Sequence, residues 1–177
     1  MLTIRPASSA EAQDLAVIGL AAWEKAIRVW GEDADRLRDN AKEAFYEFCT
    51  AHWPDILVGE WDGDLAGWGS CEKADDFITD LWVHPEFQGR GVGTGVLAAI
   101  EAGIRERGYP TARLDTHARN AGAIRLYKRL GYRVKAYFVT YSDSLDEDID
   151  KVEMIKEFYP GAEPVEPGID GDGLYGI

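Results

Sequence analysis

The sequence predicts a mixed α/β fold, in which a central sheet is flanked by helices. Short β-rich runs alternate with longer segments of helical periodicity. The chain has 177 residues, of which 46% are apolar and 11% aromatic, which is enough for one sizeable globular core. The predicted order of elements is β-α-α-β-β-β-α-β-α-β-β, without an internal repeat.

The N-terminal half is predicted to contain a strand, helices and a β-hairpin. A capping-box pattern, Ser8-x-x-Glu11, marks the beginning of the first helix. The residues Asp62-Gly63-Asp64 form the expected turn of the hairpin. These elements are a strand at 2–5, a helix after Ser8, one or two further helices within 23–50 that break near Gly31, and hairpin strands at 56–61 and 65–71.

The C-terminal half alternates strands and helices and ends in a polar tail. Gly108 and Gly131 follow apolar helical runs, as residues that end helices often do, and Asn120 can cap the second helix. The acidic run 143–150 is expected to be a solvated turn between the last two strands. The elements are a strand at 77–83, a helix at 96–107, a strand at 109–117, a helix from Asn120 to Gly131 and a strand at 134–141. One domain is expected at 1–158, followed by an extended or disordered tail at 159–177.

Charge is distributed unevenly along the chain, which carries a net charge of −13. Residues 88–135 hold ten Lys or Arg and three acidic residues, a net charge of +7, whereas both flanking segments are strongly acidic. A basic segment of this kind suits a phosphate-bearing ligand, and the acidic remainder argues against binding of nucleic acid. The acidic surface either attracts a cationic amine or serves solubility, including solubility at high salt.

Two further features concern the compartment in which the protein works. No apolar run approaches the roughly 20 residues of a membrane span, and no export signal is recognised at the N-terminus. Cys49 and Cys71 lack metal-ligand spacing and are expected to be free thiols in a reducing environment. The expectation is therefore a cytoplasmic protein with no membrane partner.

A glycine-rich run, Gln88-Gly89-Arg90-Gly91-Val92-Gly93-Thr94, separates the strand at 77–83 from the following helix. Glycines at the beginning of a helix expose backbone N–H groups that lack helical partners, and the helix dipole adds positive charge there. The run therefore predicts a phosphate or pyrophosphate site. The spacing of these glycines disfavours a Rossmann dinucleotide fingerprint, and the absence of a following lysine disfavours a Walker loop.

Two motifs in this region resemble the GNAT superfamily of N-acetyltransferases. The first is Q-x-x-G-x-G, at 88–93, after a strand that ends Val-x-Pro. The second matches N-x-x-A-[IL]-x-[LF]-Y-x-x-x-G-[FY] at every fixed position from Asn120 to Tyr132. The resemblance is sharp over 77–132, and this region also resembles the ribosomal-protein alanine acetyltransferases. It implies a mostly antiparallel central sheet flanked by helices.

The resemblance implies acetyl transfer from acetyl-CoA, a co-substrate, to an amine, and it implies no metal. In the family, pantetheine follows the splayed end of the strand before the loop, and the backbone N–H that corresponds to Val83 is the oxyanion donor. The asparagine of the second motif also contacts the cofactor. The residues implied in cofactor binding are Leu81, Trp82, Val83, Gln88, Gly89, Arg90, Gly91, Val92, Gly93, Thr94, Asn120 and Tyr127.

Proton transfer requires an acid for the leaving thiolate and a base for the amine. Tyr127 is the predicted general acid, because a phenol with a pKa of about 10 can protonate a thiolate. The alternative is that Tyr127 only packs and binds the cofactor. The candidates for the base are Asp115, which has the offset of a catalytic glutamate in the alanine acetyltransferases, and Asp80. His84 and His117 are candidates by their pKa, and ordered water is the remaining alternative.

The acceptor is expected to be a primary amine, on either a small molecule or a protein. An aromatic and acidic lip could bind a cationic amine, although tryptophans on helices more often pack in the core. The residues of this lip are Trp23, Trp30 and Trp82, with Glu32, Asp33 and Asp35. Dimers are common in the family, so a homodimer is an expected assembly. Two rival functions remain: a non-catalytic acyl-CoA-binding regulatory module of the same fold and a nucleotide-binding protein.

Overall fold

The computed structural model describes residues 1–30, 33–71, 73–142 and 147–159. These residues form eight strands and four helices, in the expected order except that two strands stand where one was expected at 77–83. The strands are β1 (Leu2–Pro6), β2 (Ile56–Trp61), β3 (Asp64–Ser70), β4 (Phe77–Ile78), β5 (Asp80–Val83), β6 (Thr111–His117), β7 (Arg133–Ser142) and β8 (Glu147–Glu157). The helices are α1 (Ala12–Trp30), α2 (Ala34–His52), α3 (Val92–Glu106) and α4 (Ala121–Arg129).

The strands form two four-stranded sheets that meet at Thr79. One sheet has the order β1-β2-β3-β5 and is antiparallel throughout. The other has the order β4-β6-β8-β7, in which β4 is parallel to β6 and the remaining pairs are antiparallel. The predicted fold class, a mixed and mostly antiparallel α/β fold with flanking helices, is confirmed.

The predicted strand at 77–83 is in fact two strands that pair in different sheets. Ile78 pairs with Leu114 of β6, whereas Asp80 pairs with Ser70 of β3. Between them, the N–H and the hydroxyl of Thr79 both donate to the carbonyl of Ser70, at 2.9 and 3.2 Å. These two bonds hold the chain where it passes from β4, in the sheet of β6, to β5, in the sheet of β3. A gap lies between the two sheets at this point.

Other boundaries differ from the prediction by a few residues. Helix α3 begins at Val92 rather than at residue 96, so the second half of the glycine-rich run is already helical. The acidic run 143–150 was expected to be a turn, but 147–150 belong to β8, and 143–146 lie outside the described residues. The capping box at Ser8 and Glu11 and the hairpin of β2 and β3 are confirmed. Most of the predicted tail, 160–177, also lies outside the described residues.

The core consists of two apolar clusters. One lies under α1 and α2 and includes Leu15, Ile27 and Trp68, all fully buried. The other lies between α3 and the second sheet and includes Ile104 and Met154. Helix α3 approaches the strands closely because glycines of β2 and β3 face it. A Cβ on Gly67 or Gly69 would lie within about 3 Å of both the backbone of β5 and side chains of α3.

Both cysteines are free thiols, as expected. Cys49 is fully buried, and burial together with the charge of Asp80 raises the pKa of its thiol to about 12. A thiol in this state has little nucleophilic character. None of the four helices, within the ranges given above, combines the length and the apolar composition needed to cross a bilayer.

Candidate active site

The glycine-rich run forms a cradle at the N-terminus of α3. Gly89 and Gly91 have positive φ angles of 77° and 85°, and Gly91 is the N-cap residue. A Cβ added to either glycine would meet no atom within 4 Å, so the space in front of the loop is open. The first helical bond joins the Gly95 N–H to the Gly91 carbonyl at 2.9 Å, so the preceding N–H groups have no helical partner. This geometry fits a phosphate group.

Gln88 connects the cradle to the neighbouring elements. Its side-chain Nε2 donates to the carbonyl of Val83 at 3.1 Å, and its Oε1 accepts from Nζ of Lys25 at 2.6 Å. Lys25 is an exposed residue of α1, so this contact brings a cation to the loop. No motif or spacing pointed to Lys25, which lies 63 positions before Gln88. Arg90 packs over the rings of Phe87 and Trp61, at 5.4 and 5.9 Å from the ring centroids.

The edge of β5 that faces away from β3 has open backbone groups. The His84 N–H donates to the Ala66 carbonyl at 2.9 Å, and backbone bonding alternates along an antiparallel ladder. The N–H and carbonyl groups of Val83 and Leu81 therefore point away from β3, toward the gap, where the Val83 carbonyl already accepts from Gln88. On the other side of the gap, β6 pairs with β4 only at Arg113 and Leu114. The gap can thus accept an extended chain with amide groups, as pantetheine has.

Helix α4 carries the two candidate residues of the second motif. Asn120 caps the helix by accepting from the Ala123 N–H at 3.1 Å, as expected, and its amide donates to the Thr116 hydroxyl at 3.3 Å. Tyr127 is buried, with 7% of its surface exposed. Burial, together with the negative charges of Asp115 and Asp80, raises the pKa of Tyr127 to about 12. Its phenol therefore stays protonated at neutral pH, as an acid must.

A polar cluster lies behind Tyr127. The ring of Tyr132 lies 5.8 Å from that of Tyr127, centroid to centroid, and its hydroxyl donates to Glu101 at 2.9 Å. The other carboxylate oxygen of Glu101 accepts from Lys156 at 2.7 Å. Burial and the charge of Glu101 raise the pKa of Tyr132 well above its ordinary value. This cluster fixes the ring against which Tyr127 packs.

A cleft of about 450 Å³ lies beside the gap and is bordered by Leu81 of β5 and by Tyr127 of α4. The cradle residues, 88–94, are not among those that border it. One wall comes from α1 and α2, the opposite wall from β6, β7 and β8, and the cleft runs between β5 and α4. The residues that border it are Trp23, Ala26, Ala44, Phe45, Phe48, Thr79, Asp80, Leu81, Trp82, Asp115, Thr116, His117, Asn120, Ala123, Tyr127, Tyr141, Ser142, Ile149 and Lys151.

Both candidate carboxylates border this cleft. Oδ1 of Asp80 accepts from the indole N–H of Trp82 at 2.8 Å. Oδ1 of Asp115 accepts from Nζ of Lys151 at 2.7 Å, in a half-buried ion pair. Asp80 is thus oriented by a neutral donor, and Asp115 by a charged one. Lys151 was not recognised from the sequence, because its pairing with Asp115 depends on the register between β6 and β8.

The two candidate histidines occupy different places. His117 borders the cleft, and its Nδ1 accepts from the Arg119 N–H at 3.0 Å. His84 does not border it. Instead, Nδ1 of His84 accepts from the Glu86 N–H at 3.4 Å, at the beginning of a short 3₁₀ turn, Pro85–Phe87. His84 therefore stabilises the 3₁₀ turn that leads into the glycine-rich loop and does not contribute to the cleft.

The predicted aromatic and acidic lip is only partly assembled. Trp23 is buried in the core but also borders the cleft, and Trp82 borders it directly. Asp33 caps α2, and Asp35 of α2 pairs with Arg28 of α1, so both carboxylates stabilise the helices. Glu32 and the side chain of Trp30 lie outside the described residues. Sequence patterns did not indicate Phe45, Phe48, Tyr141 and Ile149 as residues of the cleft, because helical or strand spacing does not distinguish such residues from core residues.

Comparison with known proteins gives consistent results. A model of the acetyltransferase (GNAT) family matches residues 20–132. An acetyltransferase of Sodalis glossinidius (strain morsitans) is 30% identical over 130 residues, which cover 71% of this chain and 91% of that protein.

Two solved structures share the fold at low identity. The PaiA N-acetyltransferase from Thermoplasma acidophilum, solved in complex with coenzyme A, superposes with a TM-score of 0.72 at 18% identity, covering 89% of this chain and 99% of that one. The ribosomal-protein-S18-alanine N-acetyltransferase from Escherichia coli gives a TM-score of 0.64 at 19% identity, covering 94% and 99%. At these identities the likeness is one of fold.

Proposed function

Because this chain belongs to the acetyltransferase (GNAT) family, we propose that it is an acetyl-CoA-dependent N-acetyltransferase. Acetyl transfer to a primary amine proceeds directly, in a ternary complex of enzyme, acetyl-CoA and amine. The observation that carries this proposal is the phosphate cradle at the N-terminus of α3, which follows the open edge of β5 along the chain. Leu81 of that edge and the buried phenol of Tyr127 border one cleft. A protein of the same fold that was solved with coenzyme A supports the choice of donor.

The cradle and the strand edge hold the donor. The N–H groups at the beginning of α3 bind the pyrophosphate, and Lys25 adds positive charge beside them. Outward backbone groups of Leu81 and Val83 hold the pantetheine arm by strand-like hydrogen bonds, and Trp82 lies between them. Asn120, which is anchored at the N-terminus of α4, borders the other side of the arm. The arm thereby delivers its thioester to the part of the cleft beside Tyr127.

The chemistry requires one bond to form and one to break. The amine attacks the thioester carbonyl, a C–N bond forms, and the C–S bond breaks. The Val83 N–H stabilises the negative charge that develops on the carbonyl oxygen. Tyr127 donates its proton to the leaving thiolate. A carboxylate of the cleft, Asp80 or Asp115, takes the proton of the amine, directly or through water.

The experiment that tests this function compares two glycines of the same helix. Gly91 and Gly108 lie at opposite ends of α3, both have positive φ angles, and a Cβ on either meets no neighbour. Gly91→Glu places a side chain and a negative charge in the cradle, whereas Gly108→Glu makes the same change at the far end. In isothermal titration with acetyl-CoA, we expect Gly91→Glu to weaken binding by more than about a hundredfold and Gly108→Glu to bind like the wild type.

Thiol release over a panel of amines then tests catalysis. Binding of acetyl-CoA by the wild type, with thiol release on at least one amine, is the result that the proposal requires. Binding without turnover on any amine would indicate a non-catalytic acyl-CoA-binding module instead. No binding of acetyl-CoA to the wild type would refute the proposal as a whole.

A further inference from the structure

We infer that the acceptor is a monoamine with an apolar body, whose single ammonium group reaches Asp80 while its alkyl or aryl group packs on the surface that the rings of α2 and Trp82 present to the cleft. This inference rests on the proposed N-acetyltransferase function and specifies its acceptor class. It depends on the shape, the composition and the charge of the wall that faces Tyr127.

The acceptor wall is aromatic and is fixed by packing with the core. Phe45 is buried, and its ring meets that of Trp82 edge to face at a centroid distance of 5.1 Å. Phe48 stacks on the fully buried Trp68 at 5.8 Å, nearly parallel to it. Because these rings are held from behind, the surface that they present to the cleft is preformed. An apolar acceptor gains free energy by covering this surface, in proportion to the apolar area it removes from water.

Asp80 lies between this wall and the reaction centre. Its charge contributes to the raised pKa of Cys49, on α2, and to that of Tyr127, on α4, so the carboxylate is within electrostatic range of both helices. The indole N–H of Trp82 holds one of its oxygens at 2.8 Å and so orients the group. An ammonium bound at Asp80 is therefore flanked by the aromatic wall on one side and by Tyr127 on the other.

The charge of the cleft matches one ammonium group. Among the described residues that border it, the carboxylates are Asp80 and Asp115, and the one ammonium is that of Lys151. Lys151 pairs with Asp115 at 2.7 Å, so the three charges sum to −1. A second ammonium, at the far end of a diamine, would lie against Phe45 and Phe48 without a carboxylate partner there. Burial of an unpaired charge is strongly unfavourable.

A peptide acceptor fits the same wall poorly. Its main chain carries an N–H and a carbonyl at each residue, and these groups need hydrogen-bond partners when they are buried. The wall formed by Ala44, Phe45 and Phe48 offers apolar side chains instead. This wall therefore favours a small apolar amine over a protein N-terminus.

The test uses acceptors of equal length that differ in one charge. Thiol release is measured with hexylamine, 1,6-diaminohexane, phenethylamine and a peptide with an N-terminal alanine, at saturating acetyl-CoA. We expect kcat/KM for hexylamine and phenethylamine to exceed that for the diamine and the peptide by at least about tenfold. The diamine has two reactive ends, so chance alone would favour it twofold.

The possible outcomes separate this inference from the proposed function. Turnover that is equal or higher with the diamine or the peptide would overturn the acceptor class and leave the acetyltransferase function intact. Absence of thiol release with all four acceptors, while another amine of the panel is acetylated, would likewise overturn the acceptor class alone. Absence of thiol release with every amine, while acetyl-CoA binds, would overturn both.

A pair of variants at Phe48 tests the wall directly. Phe48→Asp adds a carboxylate where the far end of the diamine would lie, and Phe48→Asn makes a matched change without the charge. We expect the ratio of kcat/KM for the diamine to that for hexylamine to rise at least about tenfold in Phe48→Asp relative to Phe48→Asn. An equal ratio in the two variants would contradict the inference. If neither variant folds, the inference is tested by the ratio of kcat/KM for the diamine to that for hexylamine in the wild type.

Discussion

At the scale of single residues, the protonation state of Tyr127 determines what it can do. Burial and two nearby carboxylates raise its pKa to about 12, so the neutral phenol is the only form present at neutral pH. The same desolvation and the same charges act on a thiolate that forms beside it, and they raise the proton affinity of that thiolate as well. Transfer of the proton from phenol to thiolate therefore remains feasible in this environment.

The first prediction concerns this hydroxyl group. Tyr127→Phe keeps the ring and its packing against Tyr132 but removes the proton donor. We expect kcat for acetyl transfer to fall by about 100-fold, within the usual range for a general acid, while the Kd for acetyl-CoA changes by less than about threefold. The matched control is Tyr132→Phe, which removes a hydroxyl bonded to Glu101. It should cost about 1–2 kcal/mol of stability and leave kcat nearly unchanged.

The pH dependence of kcat follows from the raised pKa of Tyr127. The protonated phenol is the active form, so its activity is lost only as the pH rises toward about 12. We therefore expect that ionisation of Tyr127 causes no decline of kcat below about pH 10. Any decline of kcat below that pH should also be seen in Tyr127→Phe. An unchanged kcat in Tyr127→Phe, or a decline near pH 8 that the substitution abolishes, would contradict the role of general acid.

At the scale of secondary-structure elements, local patterns predicted most of the fold but not the gap between the sheets. The capping box, the hairpin and the N-cap at Asn120 each depend on a few neighbouring residues, and each is present as expected. The separation of β4 from β5, by contrast, does not depend on neighbouring residues alone. The run 77–83 is continuously β-forming, and the exchange of partners at Thr79 is determined by Ser70 and Leu114, which are distant in sequence.

The same distinction applies to the candidate site. The glycine-rich loop and Tyr127 belong to contiguous motifs, so they could be predicted as site residues from the sequence. The contacts of Lys25 with Gln88 and of Lys151 with Asp115 join residues 63 and 36 positions apart. The wall residues Phe45 and Phe48 have a helical spacing that core residues share. Such features emerge only when the elements pack together.

The second prediction concerns the contact between α3 and the strands, which positions the cradle relative to the edge of β5. A Cβ on Gly67 would lie 2.7 Å from the carbonyl oxygen of Trp82, 3.1 Å from Val92 Cγ1 and 3.2 Å from the Cα of Val83. Since two of these atoms are backbone atoms, β5 must move. We expect Gly67→Ala to lower the free energy of unfolding by about 1–3 kcal/mol and to weaken acetyl-CoA binding.

The control for this prediction is Gly103→Ala, within α3 itself. There the added Cβ would meet only the flexible end of Arg107, at 3.4 Å, and alanine favours the helix by about 0.5–1 kcal/mol. Urea denaturation and titration with acetyl-CoA measure both quantities. Equal stabilities of the two variants would show that the close approach of α3 to β3 is not required.

At the scale of the whole molecule, the distribution of charge has two opposing consequences. The chain carries a net charge of −13, so repulsion among its carboxylates opposes the compact state. The segment 88–135 is basic by sequence, but part of that charge is neutralised by acidic residues from elsewhere in the chain. These ion pairs are Arg113 with Asp76 and Glu153, Lys135 with Glu153, and Arg133 with Glu157. The positive potential for the donor thus comes mainly from the cradle and the cations near it.

The third prediction follows from this opposition, because added salt screens both effects. Raising NaCl from about 0.05 to about 0.5 M shortens the screening length from more than 10 Å to about 4 Å. We expect the melting temperature of the free protein to rise, as carboxylate repulsion weakens, and the Kd for acetyl-CoA to increase several-fold, as attraction of the phosphates weakens. S-acetylpantetheine, which lacks the phosphates, is the control, and its Kd should change little. An equal response of the two donors to salt would mean that the cradle does not bind the phosphates, even if the enzyme is active.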